Sequence, residues 1–282
     1  MFSIKKGEEY YLRKSNGGKN KLLDIKFLGI GGAFDVEEGE SSAIFETRLG
    51  KKFLIDCGYT SYVYLKKKKI TQEIDRVFIT HTHSDHISGL STLIYDRYYL
   101  HQLVTVIECT PAVGEKVRQY LDICGHPEEQ FEIYTENNIY YQEDKISVTK
   151  IDTTPHHWPY PGFPNSGLLF HFETEEDNVI VVYSGDINVP ITNLMNKDDY
   201  SFVYSKPENV FIFHDMTSLV HEQNPHTNFE LLAPVKEQFT NLYTYHHGEE
   251  QVSAISKINP QMALTSLIIQ GDTFVIEETR GL

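Results

Sequence analysis

Residues 77–90 read Val-Phe-Ile-Thr-His-Thr-His-Ser-Asp-His-Ile-Ser-Gly-Leu. The apolar run at 77–79 has the character of a short buried strand. Four potential metal ligands follow it within six residues: His81, His83, Asp85 and His86. Imidazole and carboxylate suit zinc and, less well, iron or manganese. Side chains two apart on an extended segment point the same way, so His81 and His83 can reach one ion. Asp85 and His86 lie where the chain turns towards a helix, and can serve a second ion beside the first. A polar loop that is histidine-rich by chance explains neither the spacing nor the strand ahead of it.

His81-Thr82-His83-Ser84-Asp85-His86 resembles the HxHxDH signature of the metallo-β-lactamase fold superfamily. The resemblance implies an α/β protein built as a four-layer αββα sandwich, with one or two metals at the sheet edges and, in most members, hydrolysis. Residues 28–34, Leu-Gly-Ile-Gly-Gly-Ala-Phe, are similar to the family's turn between the first strand and the site. Asp56-Cys57-Gly58 is similar to its Asp-Cys-Gly motif. An acid there accepts the spare N–H of a ligand histidine and fixes its tautomer; the plainer reading of Asp56 is a strand-end cap.

The family implies a third histidine near His156-His157. Neighbours on an extended chain face opposite ways, so one of the two binds metal and the other touches substrate or supports a ligand. His156 is preferred as the ligand and His157 as the support. Ser184-Gly185-Asp186 resembles the Gly-Asp motif whose carboxylate bridges two metals. His246-His247 falls where the last ligand is expected, and His246 directly continues the strand. The resemblance thus puts His81, His83 and His156 on one divalent ion, and Asp85, His86 and His246 on a second, with Asp186 bridging. The ions expected are zinc, or else manganese. Asp85 and His226 are the expected catalytic residues; His226 lies ahead of a helix and is read either as a donor to a phosphate oxygen or the leaving group or as a plain loop histidine. His214 and Asp215 are expected to support a ligand or to cap.

The chain of 282 residues can bury a sizeable core, and one domain over 1–282 is expected. No apolar run approaches the roughly 20 residues that cross a bilayer. The first residues turn charged too soon for a signal peptide, so a cytoplasmic protein is expected. Three scattered cysteines make neither a disulfide framework nor a zinc knuckle. The formal net charge of −15 disfavours a long nucleic acid as partner, because such binding needs a basic surface that releases counterions. The basic run Lys66 to Lys69 reads as a solvated helix end.

Strands are expected at 22–28, 42–46, 52–55, 104–108, 167–172, 179–183, 210–213 and 242–245. Further strands at 131–134, 140–141 and 146–151 are assigned to a second sheet, and a closing hairpin to 262–277. Helices are expected over 59–69, from the metal motif through Ile94, from a Thr110 cap to Cys124, and from a Thr227/Glu230 capping box to Phe239. Residues 1–20 read as a strand or arm with a turn. The Pro-rich aromatic stretch 155–164 reads as a wall for a nucleobase or a lid over the metals.

Two close cations can share a hydroxide near neutral pH, so no protein nucleophile is required. The motif set looks more like the phosphodiesterase branch of the superfamily than like lactamases. That branch includes tRNase Z, cyclic-nucleotide phosphodiesterases and the phage anti-Pycsar enzymes. Against tRNase Z stand the lack of a basic Gly/Pro-rich arm insert, the final His246-His247-Gly248-Glu249 and the negative net charge, so a small anionic nucleotide, 3′,5′-cyclic nucleotides foremost, is the expected substrate; the branch also implies a homodimer. Alternatives are another hydrolase of the fold, acting on RNA, a lactone or a thioester, and a non-hydrolytic diiron redox or sensor protein.

Overall fold

The computed structural model describes residues 2–7, 21–35, 37–154, 162–174, 178–195, 206–217, 226–247, 257, 268 and 272–278. The chain forms two compact units, Met1–Glu136 with Ile269–Leu282, and Asn137–Ile268.

The first unit carries β1 (Phe2–Gly7), β2 (Lys21–Gly29), β3 (Ser42–Thr47), β4 (Lys52–Ile55), β5 (Arg76–Phe78), β6 (Thr105–Glu108), β7 (Phe131–Tyr134) and β14 (Thr273–Glu278). Their order in the sheet is β1-β14-β2-β3-β4-β5-β6-β7. Pairing is antiparallel from β1 to β4 and parallel from β4 to β7. Helices α1 (Tyr59–Lys68), α2 (Ser84–Ile87), α3 (Leu90–Tyr95) and α4 (Pro111–Ile123) join the parallel strands. Leu65, Leu90, Leu93, Ile94, Val113, Val117 and Leu121 pack on Leu54, Val77, Ile79 and Ile107 in one cluster. The i, i+4, i+8 spacing of Val113, Val117 and Leu121 gives α4 the apolar stripe that this packing uses. The opposite sheet face carries Phe27, Phe45, Phe53, Phe78 and Phe274, all buried. Period-2 alternation is therefore lost in β2–β5, as expected for strands buried on both faces.

The second unit carries β8 (Asn138–Tyr141), β9 (Ile146–Asp152), β10 (Ser166–Glu173), β11 (Asn178–Tyr183), β12 (Val210–Asp215) and β13 (Asn241–Tyr245), in the order β13-β12-β11-β10-β9-β8. β11, β12 and β13 are parallel, and the rest is an antiparallel meander. Helix α5 (Phe229–Gln238) sets Phe229, Leu232 and Val235 against Ile180, Val182, Ile212 and Leu242.

Several local expectations need correction. β7 belongs to the first sheet, parallel to β6, not to the second. The helix after the metal motif is broken. The Gly89 N–H leaves the helix ladder and donates to the Cys57 carbonyl at 2.9 Å. β14 lies between β1 and β2, so its partners among the described residues are these strands, not the other arm of a hairpin. Thr110 stands at the start of α4 but makes no side-chain cap bond. The cap of α5 is Asn228, whose side chain accepts from the Glu230 N–H at 2.8 Å, while the Thr227 hydroxyl donates to the Ile187 carbonyl at 2.6 Å. Among the described residues no helix is long and apolar enough to cross a membrane.

Candidate metal-ligand sets

In the first unit the HxHxDH residues leave the carboxyl end of β5. His81, Asp85 and His86 are buried, and His83 is partly so. Two hydrogen-bond chains that start from Asp56 govern this group. The Asp56 Oδ1 atom accepts from the Thr80 N–H, and Oδ2 accepts from the Thr80 hydroxyl, each at 2.8 Å. The Thr80 proton is thereby committed, so its oxygen accepts from His81 Nδ1 at 3.0 Å. Oδ2 of Asp56 also accepts directly from His86 Nδ1 at 2.8 Å. Both imidazoles therefore carry their proton on Nδ1 and offer a lone pair on Nε2, the form in which histidine binds metal. His81 Nε2 lies 3.0 Å from His83 Nδ1, and His86 Nε2 lies 3.4 Å from Asp85 Oδ2.

Asp56 is fully buried. Burial pushes its carboxyl up, and the donors from His86 and Thr80 oppose that shift. Its backbone is left-handed, with φ 58°. Asp tolerates this region better than most residues. Close packing holds the loop. A Cβ on Gly58 would sit 2.2 Å from the Asp85 carbonyl oxygen, and one on Gly89 2.3 Å from the Gly58 carbonyl oxygen. Only glycine lets these two turns touch.

In the second unit the donors stand at the carboxyl ends of the three parallel strands: Asp186 past β11, Asp215 ending β12 and His246 past β13. Asp186 Oδ2 is 3.3 Å from His246 Nε2 and 3.8 Å from His226 Nδ1. His226 Nδ1 donates to Asp215 Oδ2 at 2.7 Å, and its ring stacks on that of His246 with centroids 4.2 Å apart. Donor atoms of Asp186, Asp215 and His226 all fall within 4.8 Å of one another. Asp215 is fixed by further donors, the Ile187 N–H at 3.0 Å and the Thr227 N–H at 3.3 Å.

The two adjacent histidines after β13 take different roles. His246 has φ 65°, which turns its ring towards Asp186. His247 is fully buried, with Nε2 3.0 Å from the Thr244 carbonyl. His214 is held by backbone groups. Its Nε2 accepts from the Ile191 N–H at 2.9 Å, so Nδ1 carries the proton and donates to the Asp215 carbonyl at 2.7 Å. Burial pushes the His214 imidazole below its ordinary pKa. It is a neutral brace for the loop after Asp186. His156 and His157 lie outside the described residues.

Sequence reasoning missed one participant, Thr80, which relays Asp56 to His81 and carried no signal inside the motif. Asp215, expected with His214 to support a ligand or to cap, is the partner of His226.

The donor set fits a divalent metal. It combines neutral imidazole nitrogens, tautomers locked by a buried acid, and carboxylates within a few ångströms. With these sheets it defines a protein of the metallo-β-lactamase fold. The *Bacillus subtilis* metallo-β-lactamase fold protein YhfI matches with a TM-score of 0.65 at 14% identity, covering 90% of this chain and 99% of that one. The short form of human tRNase Z matches with 0.60 at 17% identity, covering 89% and 98%. A diphosphatase of the PhnP family matches with 0.64 at 15% identity, covering 92% and 98%.

Within that fold the chain belongs to the Anti-Pycsar protein Apyc1 family, whose model matches residues 23–274. The Anti-Pycsar protein Apyc1 of *Saccharibacillus brassicae* is 35% identical over 80 residues, 28% of this chain and 33% of its own length. Ribonuclease Z of *Halorubrum lacusprofundi* is 30% identical over 105 residues, 37% of this chain and 34% of its own. The matched stretches thus span about a third of these relatives. The relatives are metallo-β-lactamase fold hydrolases.

Proposed function

We propose that the protein is a metal-dependent phosphodiesterase that hydrolyses 3′,5′-cyclic nucleotides. In this reading His81, His83, Asp85, His86, Asp186 and His246, with His156, hold two divalent ions, zinc or manganese. When bound, these ions supply Lewis acidity and a nucleophilic water near neutral pH. The chain's own residues then do three things. Asp56, through Thr80 for His81 and directly for His86, keeps the Nε2 lone pairs of both rings available. His226, with Nδ1–H on Asp215, presents Nε2 to the leaving 3′-oxygen and delivers a proton there. The Asp215 carboxylate orients that imidazole and stabilises its charged form.

The observation that carries the reading is the Asp215–His226 pair, 2.7 Å apart, with His226 Nδ1 3.8 Å from Asp186. A nucleoside 3′-alkoxide is a poor leaving group, and a carboxylate-oriented imidazole is the acid it needs. The family match supports the cyclic substrate, and the net charge of −15 favours a small anion over a long RNA. Similarity to Ribonuclease Z supports a second reading, cleavage of a pre-tRNA. The test is turnover of purine and pyrimidine 3′,5′-cyclic mononucleotides, a pre-tRNA and a lactone by the metal-loaded protein. Rapid conversion of a cyclic mononucleotide is expected. Turnover of the pre-tRNA or the lactone instead would overturn the assignment.

A further inference from the structure

A second group of reactive side chains lies in the first unit, outside the proposed metal ligands. Ser91 on α3 and His126 after α4 meet with Oγ and Nε2 2.7 Å apart. His126 Nδ1 is 2.8 Å from Gln130 Oε1, and Gln130 Nε2 donates to the Tyr99 hydroxyl at 3.2 Å. His126 and Gln130 are buried, Ser91 keeps part of its surface in solvent, and Tyr99 is 66% exposed.

The direction of this chain is set by the Gln130 amide, whose Nε2–H donates to the Tyr99 hydroxyl and whose Oε1 faces His126. The exposed Tyr99 hydroxyl donates its own hydrogen bond to solvent. Gln130 then presents its carbonyl oxygen to His126, so the imidazole proton sits on Nδ1. Nε2 is left with a lone pair, and the Ser91 hydroxyl must donate to it. The ring plane is fixed as well, because Tyr95 stacks on His126 with centroids 4.0 Å apart. Ser91 and Tyr95 are four apart on α3 and so lie on one face, which brings the hydroxyl and the stacking ring to the same imidazole. A hydroxyl donating to an oriented, acceptor-form imidazole is the arrangement that makes serine a nucleophile.

We propose that Ser91 is a base-activated nucleophile, a covalent acceptor for electrophilic acyl and phosphonyl compounds at a site separate from the metal ligands. With a fluorophosphonate, Ser91 Oγ bonds to phosphorus, the P–F bond breaks and fluoride leaves. The hydroxyl proton passes to His126 Nε2 and from there to solvent. With a carboxylic ester, Oγ bonds to the acyl carbon, and the leaving alkoxide takes the proton back from Nε2.

The experiment exposes the full-length protein, metal-loaded and metal-stripped, to an alkyl fluorophosphonate and follows the mass of the Ser91 peptide. Ser91 should be modified about 10²-fold faster in the folded protein than in urea, the lower end of what a positioned base contributes. Loading with metal should leave the rate unchanged. His126→Gln should abolish the excess rate, with its thermal midpoint measured alongside. Gln130→Glu is the second variant. Glutamate can only accept from Nδ1, so it locks the chain in this direction and stabilises the imidazolium. Labelling should rise several-fold. A folded-state rate no higher than in urea, undiminished labelling in His126→Gln, or no gain in Gln130→Glu would each overturn the proposal.

Discussion

Replacing Asp56 with Asn changes almost no volume, and Asn tolerates the left-handed backbone that residue 56 adopts at φ 58°. The hydrogen bonding does change. Asp56 accepts three bonds of 2.8 Å, from the Thr80 N–H, the Thr80 hydroxyl and His86 Nδ1. An amide oxygen that stays on the Thr80 N–H leaves an NH₂ group facing the other two donors. His86 must then move its proton to Nε2, the nitrogen it would offer a metal. The Thr80 hydroxyl reverses to accept from the amide and donates to His81 Nδ1, which pushes that proton to Nε2 as well. Loss of one orienting partner costs about 10- to 100-fold in metal affinity. Two histidines affected together give about 10²- to 10⁴-fold, or about 3–6 kcal/mol. Folding should suffer less, since a neutral amide is cheaper to bury than the carboxylate it replaces. The assay is zinc competition against a chromophoric chelator, with the thermal midpoint of the metal-free protein as control. Thr80→Val, which cuts only the His81 branch, should lose about 10- to 100-fold. Zinc affinity within threefold of the parent in Asp56→Asn would refute the tautomer argument.

Asp186→Ala should remove metal binding and activity together, and retained turnover of any phosphodiester would refute a role for this carboxylate. His226→Ala should lower kcat by about 10²- to 10⁴-fold while bound metal stays the same, and Asp215→Asn should fall between it and the parent; zinc content measured beside kcat separates the two effects. Gly89→Ala places a Cβ 2.3 Å from the Gly58 carbonyl oxygen, so about 1–3 kcal/mol of stability should be lost, with zinc affinity falling as Asp85 and His86 shift. Asp96 offers a pH test away from the ligands. Burial alone would raise its carboxyl, but donors from Lys66, Thr71 and Tyr62 outweigh that and hold it below the ordinary value of 3.8. Its contribution is present above that value and lost as pH falls below it. Asp96→Ala should therefore cost about 1–3 kcal/mol at neutral pH; the stranded Thr71 hydroxyl is the part that persists in acid, and the charge-assisted part shared with Lys66 is lost below about pH 4, so the gap to the parent should narrow in denaturant titrations.

Much of the fold was legible because its strands are apolar runs ended by chemistry-bearing residues. The stretch at 77–86 gave strand, turn and a cluster of potential metal donors in one reading, and the apolar runs at 179–183 and 242–245 each led to a side chain that could join one. Pairing was less legible. Nothing in Phe131-Glu-Ile-Tyr134 says that it joins β6 and not β8, since both neighbours are equally apolar. The start of α5 was misplaced by one residue because Thr227 and Asn228 are both good caps, and the Thr227 hydroxyl is taken by the Ile187 carbonyl. The relay from Asp56 through Thr80 to His81 was invisible, because it depends on tertiary hydrogen bonds and not on spacing.

The backbone at the donor positions shows why they occur where they do. Asp56 follows β4, the HxHxDH residues follow β5, and Asp186, Asp215 and His246 close β11, β12 and β13. All five of these strands pair in parallel with a neighbour. A parallel strand returns through a crossover, so its carboxyl end opens into a loop that can be shaped for chemistry, whereas a tight hairpin ties an antiparallel end to its partner. Three of these ends also leave the strand by a left-handed residue: Asp56 at φ 58°, Gly185 at φ 63° and His246 at φ 65°. Such a step turns the chain out of the pleat at the strand end. Glycine takes it without strain, but Asp and His do so at a cost of order 1–3 kcal/mol, which the surrounding hydrogen bonds must offset. That cost is a physical reason for the buried bonds that pin Asp56 at three points. It also predicts that His246→Gly relaxes the backbone at residue 246, so that the metal-free protein keeps its stability while zinc affinity collapses. A large fall in the metal-free thermal midpoint would instead mean that the His246 ring, stacked on His226, holds the loop by packing.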